Sequence, residues 1–120
     1  MALKSITPML YTRQVRESVD FYINSFGFTC VGYDDNWGWA TVSRDDVEVM
    51  FALPNEHEPF GMPKFTGSLY IRTDKVDEIW KELKDHAVIC YPIKTFNYGM
   101  REFAVYDYNG YLLQFGTPVD

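Results

Sequence analysis

LPNEHEPFGMPKF, residues 53–65, carries three prolines and a glycine, and the fold class turns on what lies either side of it. The stretch has no apolar periodicity to bury and reads as a loop or linker. Before it, Ile6-Thr7-Pro8-Met9-Leu10-Tyr11-Thr12 is extended and apolar, a strand that Pro8 places at or near an edge. Val15, Ser18, Val19, Tyr22 and Phe26 follow at i, i+3, i+4, i+7 and i+11, one face of a helix that Gly27 stops. Three strands are predicted next, 28–33, 37–43 and 47–52, with turns at Asp34-Asp35-Asn36 and Arg44-Asp45-Asp46.

After the loop the pattern restarts. A strand at 68–72 leads to Thr73 or Asp74 as cap, then a helix facing inward through Val76, Ile79, Trp80 and Leu83. Strands are predicted at 88–91, 102–106 and 111–115, and Asn109-Gly110 carries the strongest hairpin signal, for a type I′ turn. The order is therefore βαβββ, loop, βαβββ, with modules at about 5–53 and 66–117 and the loop at 54–65. Each half has about 55 residues, too few for an independent core, so residues 1–120 are read as one domain. The implied architecture is α+β: curved mixed β-sheets, helices on the outside, and a concave cleft on the other side.

Composition narrows the function. The 120 residues are 47% hydrophobic and 23% charged, an ordinary globular mixture with no apolar run long enough for a membrane span. No secretion signal is evident at MALKSITPML, so a cytoplasmic location is expected. Eleven Lys and Arg against 17 Asp and Glu, net −6, argue against a nucleic-acid partner and suit a neutral or cationic small molecule. Cys30 and Cys90, each in an apolar stretch, read as buried free thiols. Nine Tyr, nine Phe and three Trp exceed what a core of this size needs.

Three segments resemble one family in order and spacing. Ser18-Val19-Asp20-Phe21-Tyr22 with Phe26-Gly27-Phe28 is similar to its "S-x-x-F-Y … L-G-F" helix. Asn97-Tyr98-Gly99-Met100-Arg101-Glu102-Phe103 resembles "P-W-G-x-R-E-F", and Asp107-Tyr108-Asn109-Gly110-Tyr111 resembles "D-P-x-G-Y/N". The family is the vicinal oxygen chelate superfamily of glyoxalase I, extradiol dioxygenases, and fosfomycin and bleomycin resistance proteins. The last two segments look most like the bleomycin resistance proteins. That resemblance implies a homodimer that binds drugs without chemistry and without a cofactor.

Metal-dependent members place His and Glu ligands on the first and last strand of each half, which maps here to Thr7, Glu48, Ser68 and Gln114. One carboxylate, two hydroxyls and an amide make a poor Zn²⁺ or Fe²⁺ site, and Glu48 reads as a polar cleft residue. His57, in the loop, and His86, after the second helix, read as exposed. No G-x-S-x-G elbow and no glycine-rich phosphate loop is present.

Strand alternation assigns the cleft face. Thr7, Met9 and Tyr11 share it on the first strand, with Trp37, Trp39 and Thr41, Glu48 and Met50, Ser68, Tyr70 and Arg72, and Glu102, Ala104 and Tyr106 on the others. By resemblance, Trp39 falls about where resistance proteins hold a drug-contacting Phe, and Tyr98 where they hold a Trp. The expected ligand-binding set is Trp37, Trp39, Glu48, Met50, Tyr70, Arg72, Tyr98, Glu102 and Tyr106, with Glu48 and Glu102 as counter-charge. Cross-strand packing or dimer contact is the competing reading of these aromatics. The expected function is non-catalytic binding of an aromatic or cationic, antibiotic-type small molecule. The alternatives are a metabolite-binding protein and a metal-dependent lyase, isomerase or dioxygenase with an irregular ligand set.

Overall fold

At 3.6 residues per turn, Val15, Ser18, Val19, Tyr22 and Phe26 become the buried stripe of α1 (Val15–Phe26), which ends at the left-handed Gly27. The computed structural model describes residues 2–55, 57 and 59–119; Met1, Asp120 and, within the predicted loop, Glu56 and Glu58 lie outside the described residues. The other elements are β1 (Met9–Tyr11), β2 (Thr29–Asp34), β3 (Trp39–Arg44), β4 (Val47–Ala52), β5 (Leu69–Arg72), α2 (Val76–Leu83), β6 (Val88–Thr95), β7 (Met100–Tyr106) and β8 (Leu112–Pro118). The fold is the α+β arrangement read from the sequence, βαβββ twice. The chain divides into two compact units, Met1–Met62 and Pro63–Asp120. Among the described residues, no helix is long and apolar enough to cross a membrane.

Each unit holds one four-stranded sheet, in the order β1-β4-β3-β2 and β5-β8-β7-β6. The first strand of each unit runs parallel to the last, and the other pairs are antiparallel. Pro8 sits just before β1, at the sheet edge, as its missing N–H requires.

The same devices recur in both units. Thr12 N–H donates to the Ala52 carbonyl and Thr73 N–H to that of Gly116, each at 3.0 Å. The Thr12 hydroxyl accepts from Gln14 N–H, and the Thr73 hydroxyl from Lys75 N–H, just before each helix. These contacts align the units residue by residue. Met9 pairs with Met50 as Tyr70 pairs with Gln114, and Trp39 pairs with Ala52 as Glu102 pairs with Gly116.

Packing follows the alternation. In the first unit Ala40, Val42, Val49 and Phe51 are buried on one face of the sheet, and the ring of Tyr22 from α1 meets Phe26, Phe28 and Phe51 edge-on. In the second, Phe103 packs against Trp80 of α2 at 5.2 Å and stacks on Phe115 at 5.1 Å. Arg101 forks onto Asp77, its Nη2 at 2.8 Å, and ties α2 to β7. That hydrogen bonding holds the Asp77 carboxyl below the usual carboxylate range.

Five local expectations need correction. Neither Thr73 nor Asp74 caps α2: Lys75 holds the cap position without a side-chain cap bond, because the Thr73 hydroxyl is taken up by Lys75 N–H. Trp37 is not on a strand. The turn predicted at 34–36 runs on to Gly38, because the Asp34 side chain accepts from the N–H groups of both Asn36 and Trp37, and Gly38 takes a left-handed φ of 62°. A side chain at 38 would also press on Leu53, so glycine is favoured there, and Trp37 is left 81% exposed. Asn109-Gly110 is not a type I′ turn, since among the described residues Asp45 is the only non-glycine with positive φ. Asp107 bridges the loop instead, its carboxylate accepting from Asn109 and Tyr111 N–H, which makes a turn with Gly110 at the left-handed position. Cys90 is exposed and Cys30 only half-buried, both free, because each lies on an edge strand beside a register shift. The strand predicted at 88–91 extends through Pro92 to Thr95, which edge position permits.

Phe51 is fully buried against Tyr22. Phe51→Ala is expected to lower the unfolding free energy in urea by about 3–5 kcal/mol, with little change in m. A loss below about 1 kcal/mol would contradict this account of the first unit's core.

Candidate functional site

In the second unit, Phe103 and Val105 of β7 are buried on the face where Phe103 meets Trp80 of α2, so Glu102, Ala104 and Tyr106 point the other way. Two rows cross that face. Tyr91, Ala104, Gln114 and Tyr70 form one, and Lys94, Glu102, Gly116 and Arg72 the next.

Glu102 is the residue on which this face converges. It is 2% exposed, and a carboxylate removed from water needs donors in its place. Tyr98 donates to Oε1 at 2.9 Å and Tyr70 to the same oxygen at 3.4 Å. Tyr91 donates to Oε2, and the Gln114 amide reaches that oxygen at 3.3 Å. Gln114 in turn donates to the Tyr91 hydroxyl at 2.8 Å and accepts from the Ser68 hydroxyl. Every hydrogen-bond partner of Glu102 among the described residues is thus neutral. Lys94 and Arg72 share its row without bonding it.

Local structure sets each of these positions. Tyr98 lies in the β6–β7 turn, where Phe96 N–H donates to the Met100 carbonyl, Gly99 N–H donates to that of Phe96, and Gly99 has φ 91°. Its ring, 62% exposed, stacks on Phe96 at 5.3 Å, and Phe96 also meets Tyr91 edge-on. The Tyr70 hydroxyl crosses over Gly116, where a Cβ would lie 2.1 Å from it. Tyr91 reaches this face through an irregular register. Ile89 pairs with Val105 on the helix face, yet Tyr91, two residues on, pairs with Ala104 on the opposite one.

The hydroxyl protons are held firmly. Burial raises the Tyr91 phenol well above its usual range, and hydrogen bonding to Glu102 adds to this. Burial and the Glu102 charge raise Tyr70, and loss of hydration at the hydroxyl with the Glu102 bond raises Tyr98.

Among the sequence-based candidates, Tyr70, Tyr98 and Glu102 are brought together. Arg72 is exposed two residues from Tyr70, and the Tyr106 hydroxyl meets Cys90 at 3.4 Å rather than Glu102. In the first unit Trp39 and Met50 are half-buried, Glu48 is exposed, and the Trp39 ring lies against Gly32. Trp37 stands apart in its turn. Tyr91 and Phe96 were missed, and Ser68 and Gln114 were read only as vestigial ligand positions.

The donor chemistry does not fit a Zn²⁺ or Fe²⁺ centre. The Ser68 hydroxyl and Gln114 amide bond each other, the amide nitrogen is turned toward Glu102, and Glu48 pairs in register with Ser43. Among the described residues, no three His, Cys, Asp or Glu side chains group to hold a metal ion.

Two mixed four-stranded sheets built from repeated βαβββ units define a class, and the match to a family model agrees. The chain belongs to the Glyoxalase/Bleomycin resistance protein/Dioxygenase superfamily, whose model matches residues 4–115. Three solved structures share the fold. TnmS3, an antibiotic binding protein from Streptomyces sp. CB03234, is 20% identical with TM-score 0.76 over 98% of each chain. A bleomycin resistance determinant encoded on transposon Tn5 is 22% identical with TM-score 0.75, covering 97% of this chain and 98% of that one. A bleomycin-binding protein complexed with bleomycin is 21% identical with TM-score 0.73, covering 96% and 98%. No curated protein matches the chain in sequence.

Because the raised phenols favour the neutral form in the fold, their stabilisation is complete below about pH 10 and is lost as pH rises through the folded-state values. Unfolding free energy is therefore expected to fall above about pH 10, and less steeply in Tyr91→Phe. Phenolate absorbance near the ordinary midpoint for all nine tyrosines would contradict the network. At the turn, Gly99→Ala is expected to cost roughly 1–2 kcal/mol and to loosen Tyr98 from Glu102; an unchanged denaturation midpoint would remove that role from Gly99.

Proposed function

We propose that the protein binds, without chemistry, an aromatic small molecule that carries positive charge, of the antibiotic type. The observation that carries this reading is Glu102, a carboxylate 2% exposed, bonded only by neutral donors and bordered by the stacked pair Phe96 and Tyr98. A flat ring gains from stacking on the exposed Tyr98 ring, and a cation gains from a carboxylate whose charge no bonded cation offsets. Tyr70, Tyr98 and Glu102 face the ligand in this proposal, and Tyr91, Gln114 and Ser68 position them. Arg72 and Tyr106, on the same sheet, are proposed as outer contacts; Trp37, Trp39, Glu48 and Met50 are proposed as ligand contacts of the first unit by itself. The description of TnmS3 as antibiotic binding, and the bleomycin complex of another member of this fold, support the reading by likeness.

The proposal extends to a cytoplasmic homodimer. Strands β2 and β6 are terminal in their sheets, with apolar side chains, Val31 and Val88 among them, exposed along them.

Calorimetric titration with bleomycin tests the binding. Saturable binding is expected, weakened about tenfold or more, roughly 1.4 kcal/mol, in Glu102→Gln. Absence of binding, together with no protection of cells expressing the protein, would refute the antibiotic reading. Light scattering is expected to give the mass of two chains; the mass of one would refute the dimer.

A further inference from the structure

The geometry points to Glu102 Oε1 as the single exchangeable position of the site, and so to a protonated amine, rather than an amidinium or guanidinium, as the cationic group it selects. This inference rests on the binding reading above and names the ligand chemistry within it.

The two carboxylate oxygens differ in how they are held. Oε2 is gripped from within by Tyr91 and Gln114, which bond each other, and Gln114 is fixed again by Ser68. Removing a donor from Oε2 breaks a linked set of bonds in a buried place. Oε1 is held by Tyr98, 62% exposed, and by Tyr70, 39% exposed and at the long distance of 3.4 Å. An incoming N–H donor can take the place of either phenol on Oε1, which keeps the buried carboxylate bonded while the displaced hydroxyl bonds water.

One exchangeable oxygen discriminates between cations. The planar fork of an amidinium or guanidinium gains most when both carboxylate oxygens are available to it. An ammonium is a compact charge and needs one. The Lys94 ammonium lies over the Phe96 ring, 5.3 Å from its centre, although Lys94 is the cross-strand partner of Glu102. Directed to that ring, it leaves Glu102 without a bonded cation.

Three probes with one aromatic body test the assignment: 2-naphthylmethylamine, 2-naphthamidine and 2-naphthalenemethanol, titrated into the full chain at neutral pH. The amine is expected to bind at least about tenfold more tightly than the amidine or the alcohol. Glu102→Gln is expected to erase that preference. Tyr98→Phe, which keeps the ring and removes the competing hydroxyl, is expected to bind the amine more tightly. An amidine bound as tightly as the amine, an amine preference that survives Glu102→Gln, or no gain in amine affinity in Tyr98→Phe would overturn the inference. Should Glu102→Gln fail to fold, the wild-type ranking and Tyr98→Phe still decide. Bleomycin run alongside separates the two levels. Bleomycin binding without amine selectivity overturns this inference alone, whereas amine selectivity with neither bleomycin binding nor protection of cells supports it and overturns only the antibiotic reading.

Discussion

A carboxylate cannot leave water without replacements for the hydrogen bonds it gives up, and in the second unit that requirement falls on Glu102. Neither cationic neighbour in its row supplies them. Three phenols and one amide do, and each reaches Glu102 through a separate local device. A left-handed glycine sets Tyr98, a strand without a side chain at 116 admits Tyr70, and an irregular register turns Tyr91 inward. A serine fixes the amide. The polar face of this sheet is arranged around one buried charge.

The first unit shows what the same framework does without that charge. Trp39 stands where the second unit has Glu102, Met50 where it has Gln114, and Met9 where it has Tyr70. At those three positions the side chains are apolar, and the Trp39 ring is laid on Gly32 in place of a hydrogen-bonded network. One backbone plan thus carries an aromatic surface in one unit and an acceptor site in the other. Fold alone does not choose between them; the side chains in those rows do.

Much of the fold was legible because its signals are local. The stripe from Val15 to Phe26, the stop at Gly27 and the restart after the proline-rich loop require only spacing and conformational preference. The segment Asn97 to Phe103 also delivered two members of the site, Tyr98 and Glu102. Tyr91 was hidden because alternation puts it on the same face as Ile89, and only an irregular register separates them. Trp37 was misplaced because Asp34 lengthens its turn by hydrogen bonds that no periodicity reports. Gln114 and Ser68 read as weak ligands because a side chain's role as donor or acceptor depends on partners brought in by folding.

The most direct measurement is an NMR titration of the chain carrying ¹³C-labelled tyrosine rings with bleomycin. If Glu102 and its phenols form the binding site, the largest changes fall on Tyr98 and Tyr70, with a smaller change at Tyr91. Changes confined to Tyr11 and Tyr33 of the first unit, with Tyr70, Tyr91 and Tyr98 unmoved, would contradict the account.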